Sequence, residues 1–277
     1  MNEIIAYLNS AFAFLLDLLI WPLRGLPAVW GLVFLSALSG IALLYFFGLI
    51  SNQTAIRNTK RKIHAALLES ILFRHDIKLC LGAQGRMLKS ACVYFVLALV
   101  PLMILSIPAI YFLGHLNARY NSRPLQPGET TLVGIQVKPQ ADLFSFAINT
   151  TEGLEKDAMV RVPAEHQVVF RVKVGHDGKQ AITIEDKKSG LALSKPLYVG
   201  SASSGLESYS YSTWWWSLMY PGGEIVGKAK DALESFWVEY PERDYSVFGI
   251  QMHWLVIFLI FSLISGLIAS RVFKIEI

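Results

Sequence analysis

Ala28–Ile50, AVWGLVFLSALSGIALLYFFGLI, decides the class of fold, because it runs from end to end without a charged residue. A helix rises about 1.5 Å per residue and the hydrocarbon core of a bilayer is about 30 Å thick, so this stretch is expected to span with some tilt. Two further runs have the same character. Ser90–His115 carries Pro101 and Pro108, each of which removes a backbone donor and bends a helix. Gln251–Ser270 is closed by Arg271 and Lys274. Of the 277 residues 53% are hydrophobic and 17% charged. Soluble domains carry roughly a quarter charged residues, so the apolar excess faces lipid.

The basic residues orient these spans. The net charge is +4, and between the first two runs stand Arg57, Lys60, Arg61, Lys62, Arg74, Lys78, Arg86 and Lys89 against only Glu69 and Asp76. That cation excess marks a cytoplasmic loop, and Arg271 and Lys274 agree with it. Topology accounts for the charge without a nucleic-acid partner. Within the loop Ile56, Ile63, Ala66, Leu67, Ile71 and Leu72 recur at helical spacing opposite Arg57, Lys60, Arg61 and Lys62. Arg74-His75-Asp76 interrupts the pattern, and Asp76 can cap a second short helix through Leu88. The expectation is a basic helical hairpin over 51–89 whose charged face touches acidic lipid headgroups or a partner chain.

The opening segment, 1–27, has two readings. Ile4–Ile20 is apolar, yet Glu3, Ser10, Asp17 and Arg24 recur every seventh residue and make one narrow polar stripe on a helix. Such a helix, ended by Trp21-Pro22, lies in the membrane interface with Trp21 and Trp30 at headgroup depth, or forms a fourth span in a tight hairpin. The stripe favours the interface. No basic stretch precedes the apolar run, so a cleaved signal peptide is not expected.

Between the second and third spans the period changes to two. Thr131–Val137, Leu143–Ile148, Ala158–Val162, Gln167–Val174, Gln180–Ile184 and Pro196–Val199 read as short strands, separated by turn signals such as Pro127-Gly128 and Asp177-Gly178. The spacing predicts an immunoglobulin-like β-sandwich over 116–200 on the extracytoplasmic side. Residues 201–250 then hold Trp214-Trp215-Trp216 and an apolar series, Ile225, Val226, Ala229, Leu233, Phe236 and Trp237, that reads as an amphipathic helix. Trp214, Trp215, Trp216 and Trp237 suit either a headgroup-level belt or a partner-binding patch.

Nothing in the chain has the pattern of an active site. It holds no Gly-rich phosphate loop, no His-Glu-x-x-His helix and no Gly-x-Ser-x-Gly elbow, and no acidic residue sits deep in the three spans. No cofactor, small-molecule substrate or metal is expected, since the six histidines are scattered and the two cysteines, Cys80 and Cys92, fall on the reducing side. Asn149-Thr150-Thr151 fits a glycosylation acceptor, which matters only in a eukaryotic secretory setting.

The layout from Phe14-Leu15-Leu16-Asp17 through Ala28-Val29-Trp30-Gly31 to Arg57-Asn58-Thr59-Lys60 resembles the start of the core of the YidC/Oxa superfamily of membrane protein insertases. The resemblance covers residues 1–115, with 251–271 as third span. It implies an interfacial helix, three transmembrane helices, a charged cytoplasmic hairpin and a groove, here lined by Ser36, Ser39, Pro101 and Pro108. Bacterial members carry an arginine in that groove, whereas this span offers Ser36, Ser39 and Gly40. Two functions are therefore expected. One is a non-catalytic subunit or scaffold of an envelope complex in a bacterial inner membrane, docking membrane-protein partners through a periplasmic sandwich. The other is an insertase-like chaperone that assists insertion or assembly of membrane proteins.

Overall fold

The computed structural model describes residues 2–150, 153–186, 190–200, 206, 208–220, 229–247 and 249–276. Four helices come first: α1 (Asn2–Ile20), α2 (Ala28–Ile50), α3 (Gln53–Leu72) and α4 (Ile77–Tyr120). Six strands follow: β1 (Thr130–Val137), β2 (Phe146–Thr150), β3 (Leu154–Val162), β4 (Gln167–Val174), β5 (Gly178–Asp186) and β6 (Leu191–Val199). After β7 (Tyr209–Tyr211) come the short helices α5 (Trp214–Met219) and α6 (Ala229–Ala232), then β8 (Leu233–Val238), β9 (Tyr245–Val247), β10 (Ile250–Met252) and α7 (Trp254–Phe273). The chain forms two compact units, one of Met1–Ala28 with Tyr111–Trp254 and one of Val29–Ile110 with Leu255–Ile277. Four helical segments, Ile4–Leu23, α2, α4 and α7, are long and apolar enough to cross a membrane.

In the first unit antiparallel pairing builds a five-stranded sheet, β3-β4-β1-β8-β7, and a three-stranded sheet, β2-β5-β6. Their inner faces share one apolar core. Val133 and Ile135 of β1, Phe170 and Val172 of β4 and Phe236 of β8 meet Phe146, Ile182, Ile184 and Leu197 of the smaller sheet. Strand β4 shows why the alternation works: Val168, Phe170, Val172 and Val174 are buried while Arg171 and Lys173 between them are exposed. Lys195 enters this layer from β6, where its Nζ donates to Ser210 Oγ at 2.9 Å and to the Phe236 carbonyl at 3.2 Å. Arg123 and Glu129 close the loop into β1 with two parallel bonds of 2.7 and 3.0 Å. Against the same unit α1 is held by polar contacts: Arg119 Nη2 lies 2.6 Å from Asp17 Oδ1, and Asn9 Nδ2 donates to the Ser217 carbonyl at 2.9 Å.

The second unit is helical. Asn52 caps α3 by accepting from Ala55 N at 3.0 Å, and Asp76 caps α4 by accepting from Lys78 N and Leu79 N. Helices α2 and α7 touch along small residues, and the sequence Ser-x-x-Ser-Gly occurs in both, as Ser36–Gly40 and Ser262–Gly266. Gly40 sits so close to the Ser262 carbonyl and Ser265 Oγ that a Cβ there would collide with both. Farther along, Gly48 abuts Ile275, so the two helices run parallel.

Three expectations change. The expected helix does not run through Trp237: Ala229–Ala232 is helical, but Leu233–Val238 is a strand, and residues 221–228, which include Ile225 and Val226, lie outside the described residues. Two pairings explain it: Ile135 of β1 faces Phe236 from one side, Ser210 of β7 from the other, and those cross-strand contacts override helical spacing. The sheet region therefore reaches past residue 200. The hairpin's second helix does not stop at Leu88, because α4 continues without a break through Gly82, Gly85 and Pro101. Leu143–Ser145 turn rather than extend, with Asp142 Oδ1 accepting from Phe144 N at 2.9 Å, so β2 starts at Phe146.

Candidate functional site

On strands a period of two sorts Tyr209 and Tyr211 to one face of β7 and Ser210 to the other. Register places Tyr209 opposite Trp237 and Tyr211 opposite Ser235 of β8, Gly134 opposite Trp237 and Gln136 opposite Ser235, and Gln167 of β4 opposite Gln136. All of these but Gly134 line a groove of about 550 Å³ on the outer face of the five-stranded sheet, joined by Trp216 of α5 and by Glu234 and Glu239. Gly134 is needed here: the indole of Trp237 lies where any Cβ would stand.

The groove is aromatic and acidic. Tyr209 and Tyr211 stack with ring centroids 5.9 Å apart, and Trp216 lies 6.0 Å from Tyr211 and 6.1 Å from Tyr220. Among the described residues no Lys, Arg or His lines it, and neither Glu234 nor Glu239 forms an ion pair. Burial, then the neighbouring Tyr220, Tyr209 and Glu234, push the Tyr211 phenol up to about 12, so it stays a protonated donor at neutral pH. The arrangement offers flat apolar faces and anionic acceptors.

The aromatic residues singled out from the sequence therefore divide. Trp216 and Trp237 meet in the groove, while Trp214 and Trp215 pack edge to face on each other, each 43% exposed, on α5. Tyr209, Tyr211, Glu234, Glu239, Gln136 and Gln167 were not among the expected site residues. The alternation Tyr209-Ser210-Tyr211 was the one local sign of them.

The basic face divides too. Arg57 Nε and Lys60 Nζ reach the two carboxylate oxygens of Glu276 at 3.3 and 3.4 Å, whereas Arg61 and Lys62 are exposed. Lys62 joins Arg86 and Lys89 around a cleft of about 430 Å³ between α3 and α4, with Thr59 and Ser90 on its walls and Glu69 bound to Arg86 at 2.6 Å. The four expected groove residues differ in exposure. Ser36 and Ser39 are buried and donate to the carbonyls of Leu32 and Ser36 at 2.6 and 2.8 Å. Pro101 is buried and Pro108 is exposed. Cys80 and Cys92 are free thiols, with Ser70 Oγ 3.4 Å from Cys80 Sγ. No family model, no curated protein and no solved structure matches the chain.

Proposed function

We propose that this chain is a non-catalytic membrane subunit or scaffold of an envelope membrane-protein complex. It docks membrane-protein partners through its extracytoplasmic sheet domain and the Trp-rich segment. In this reading α2, the part of α4 from Ser90 to His115 and α7 span a bacterial inner membrane, α1 lies in the interface, and an immunoglobulin-like sandwich faces the periplasm. The cation excess of 51–89 together with Arg271 and Lys274 supports that orientation. The parallel course of α2 and α7 agrees with it, since one sense of crossing sends both into the compartment of the basic loop. Grouping of α1 with the sheet unit, through Asp17 and Asn9, favours the interfacial position over a fourth span.

The single observation that carries the scaffold reading is the groove of Trp216, Trp237, Glu234 and Glu239, a concave aromatic surface with unpaired charge on the outer face of a sheet. Interface centres are enriched in such aromatic anchors. The test is affinity purification of the full chain in mild detergent, with the bound proteins identified and counted. A fixed stoichiometric set of envelope subunits is expected; nothing stoichiometric would sink the reading.

A second reading keeps the YidC/Oxa resemblance and assigns an insertase-like chaperone. The cationic cleft of Lys62, Arg86 and Lys89 favours it, as a place where a client segment or an acidic headgroup could rest. Closure of Ser36 and Ser39 within the helix contact works against it. The same purification separates the two, because ribosomes, translocon components or many unrelated membrane clients mark an insertase.

A further inference from the structure

The sheet groove has a chemistry that selects its occupant, and reading that chemistry rests on the scaffold function proposed above. Among the described residues its charge is one-signed: Glu234 and Glu239 face it, with no basic side chain in the lining. Aromatic rings add to this, since the ring faces of tryptophan and tyrosine attract cations. Donors are present in the Tyr209 and Tyr211 phenols, the Ser235 hydroxyl, the Trp216 and Trp237 indoles and the Gln167 amide, but none of them is charged. The amide of Gln136 is spent on the Glu165 carbonyl at 2.9 Å, and the carboxylates only accept. A neutral sugar would leave the two carboxylates uncompensated, whereas an ammonium or guanidinium group pairs with them.

Size narrows the choice. The lining runs from Gln167 on β4 across β1 and β8 to Tyr211 on β7. Neighbouring strands lie about 4.8 Å apart, so three such spacings make a groove about 14 Å long, the length of about four extended residues. A lone cation would fill a fraction of the 550 Å³. We propose that the groove holds an extended segment of a partner protein bearing lysine or arginine, its cationic side chain seated on Trp237 and Trp216 between Glu234 and Glu239.

The test uses the full chain in detergent micelles. Its tryptophan fluorescence is titrated with a short lysine-serine peptide, its glutamate-serine counterpart, choline and a cello-oligosaccharide. Saturable binding of the lysine peptide alone is expected, weakening as salt rises. Glu234→Gln with Glu239→Gln, both exposed positions, is expected to weaken it about tenfold or more, and Trp237→Ala likewise, while Val160→Ala, exposed on β3 outside the lining, leaves it unchanged. Trp237→Phe, which keeps a ring, retains part of the affinity and shows that loss in the alanine variant is not misfolding. No saturable binding, equal binding of the two peptides, full affinity in the double glutamine variant, or displacement by choline or the sugar would each overturn the assignment. If the double glutamine variant still purifies with the wild-type set of subunits, the scaffold reading stands and this one falls. Peptide binding with no stoichiometric subunit would do the reverse.

Discussion

Gly40 and Gly134 both stand where a larger group has taken the place of a side chain, and the two sites that result differ in kind. At Gly40 the neighbour is the Ser262 carbonyl, and every serine around it is satisfied: Ser36, Ser39, Ser262 and Ser265 each donate to a carbonyl of their own helix. At Gly134 the neighbour is the indole of Trp237, which lines the groove, and there, among the described residues, Glu234 and Glu239 form no ion pair. A closed contact with no leftover valence is architecture. Charge left beside exposed rings costs little in water and gains on pairing, which is what the proposed docking role uses.

That contrast can be broken most forcefully at Gly40. Gly40→Leu drives a side chain into backbone of α7, which cannot rotate away, so the helices must separate. A loss of about 2–4 kcal/mol is expected, read as reduced thermal or denaturant stability in detergent. Gly134→Val meets only the end of a half-buried side chain, which can swing outward. The expected cost is about 1–2 kcal/mol, with a red shift of tryptophan emission and loss of the lysine peptide. Equal destabilisation by the two substitutions would mean that Trp237 is as locked as the α7 backbone, and the groove would then be architecture as well. Lys195→Met sharpens the same contrast from inside the sheet layers. It leaves the Phe236 carbonyl without its ammonium donor and should cost about 1–3 kcal/mol with the peptide still bound.

The sequence showed most where one local rule decides. The alternation of Gln167–Val174 was sufficient to place β4 at both ends, because each inward position is apolar and each flank turns. The cap at Asp76 was equally visible. Leu233–Val238 misled, since Leu233, Phe236 and Trp237 satisfy a helical spacing and only pairing with β1 and β7 makes them a strand. Gly82 and Gly85 misled in the other direction; their propensity cost is about 1 kcal/mol each, too little to stop a helix of 44 residues. The groove was legible only through Trp216 and Trp237. Its remaining walls come from four strands far apart in sequence, and no local pattern announces cross-strand neighbours. The twin Ser-x-x-Ser-Gly segments were in plain view, but their meeting required the parallel course of α2 and α7.

The weakest effect concerns the pair that turned part of the hairpin's basic face inward. Hydrogen bonds from Lys60 and then Arg57 hold the Glu276 carboxyl below the usual glutamate range, and its backbone N–H donates to Gln53 Oε1 at 2.8 Å. A carboxyl whose folded-state value is depressed stabilises the fold at pH above the ordinary glutamate value, and that contribution fades as pH falls through the depressed one. The pair is largely solvent-exposed, so it contributes at most about 1 kcal/mol and is weakened by salt. Glu276→Gln should therefore lower thermal stability slightly at pH 7 and low salt, and not at all near pH 3 or in concentrated salt. The same substitution frees Arg57 and Lys60, so binding to vesicles rich in acidic lipid should rise where the sheet groove's peptide affinity does not move. A change in peptide affinity instead would tie together two surfaces that the chemistry keeps apart, and would undo the separation drawn from Gly40 and Gly134.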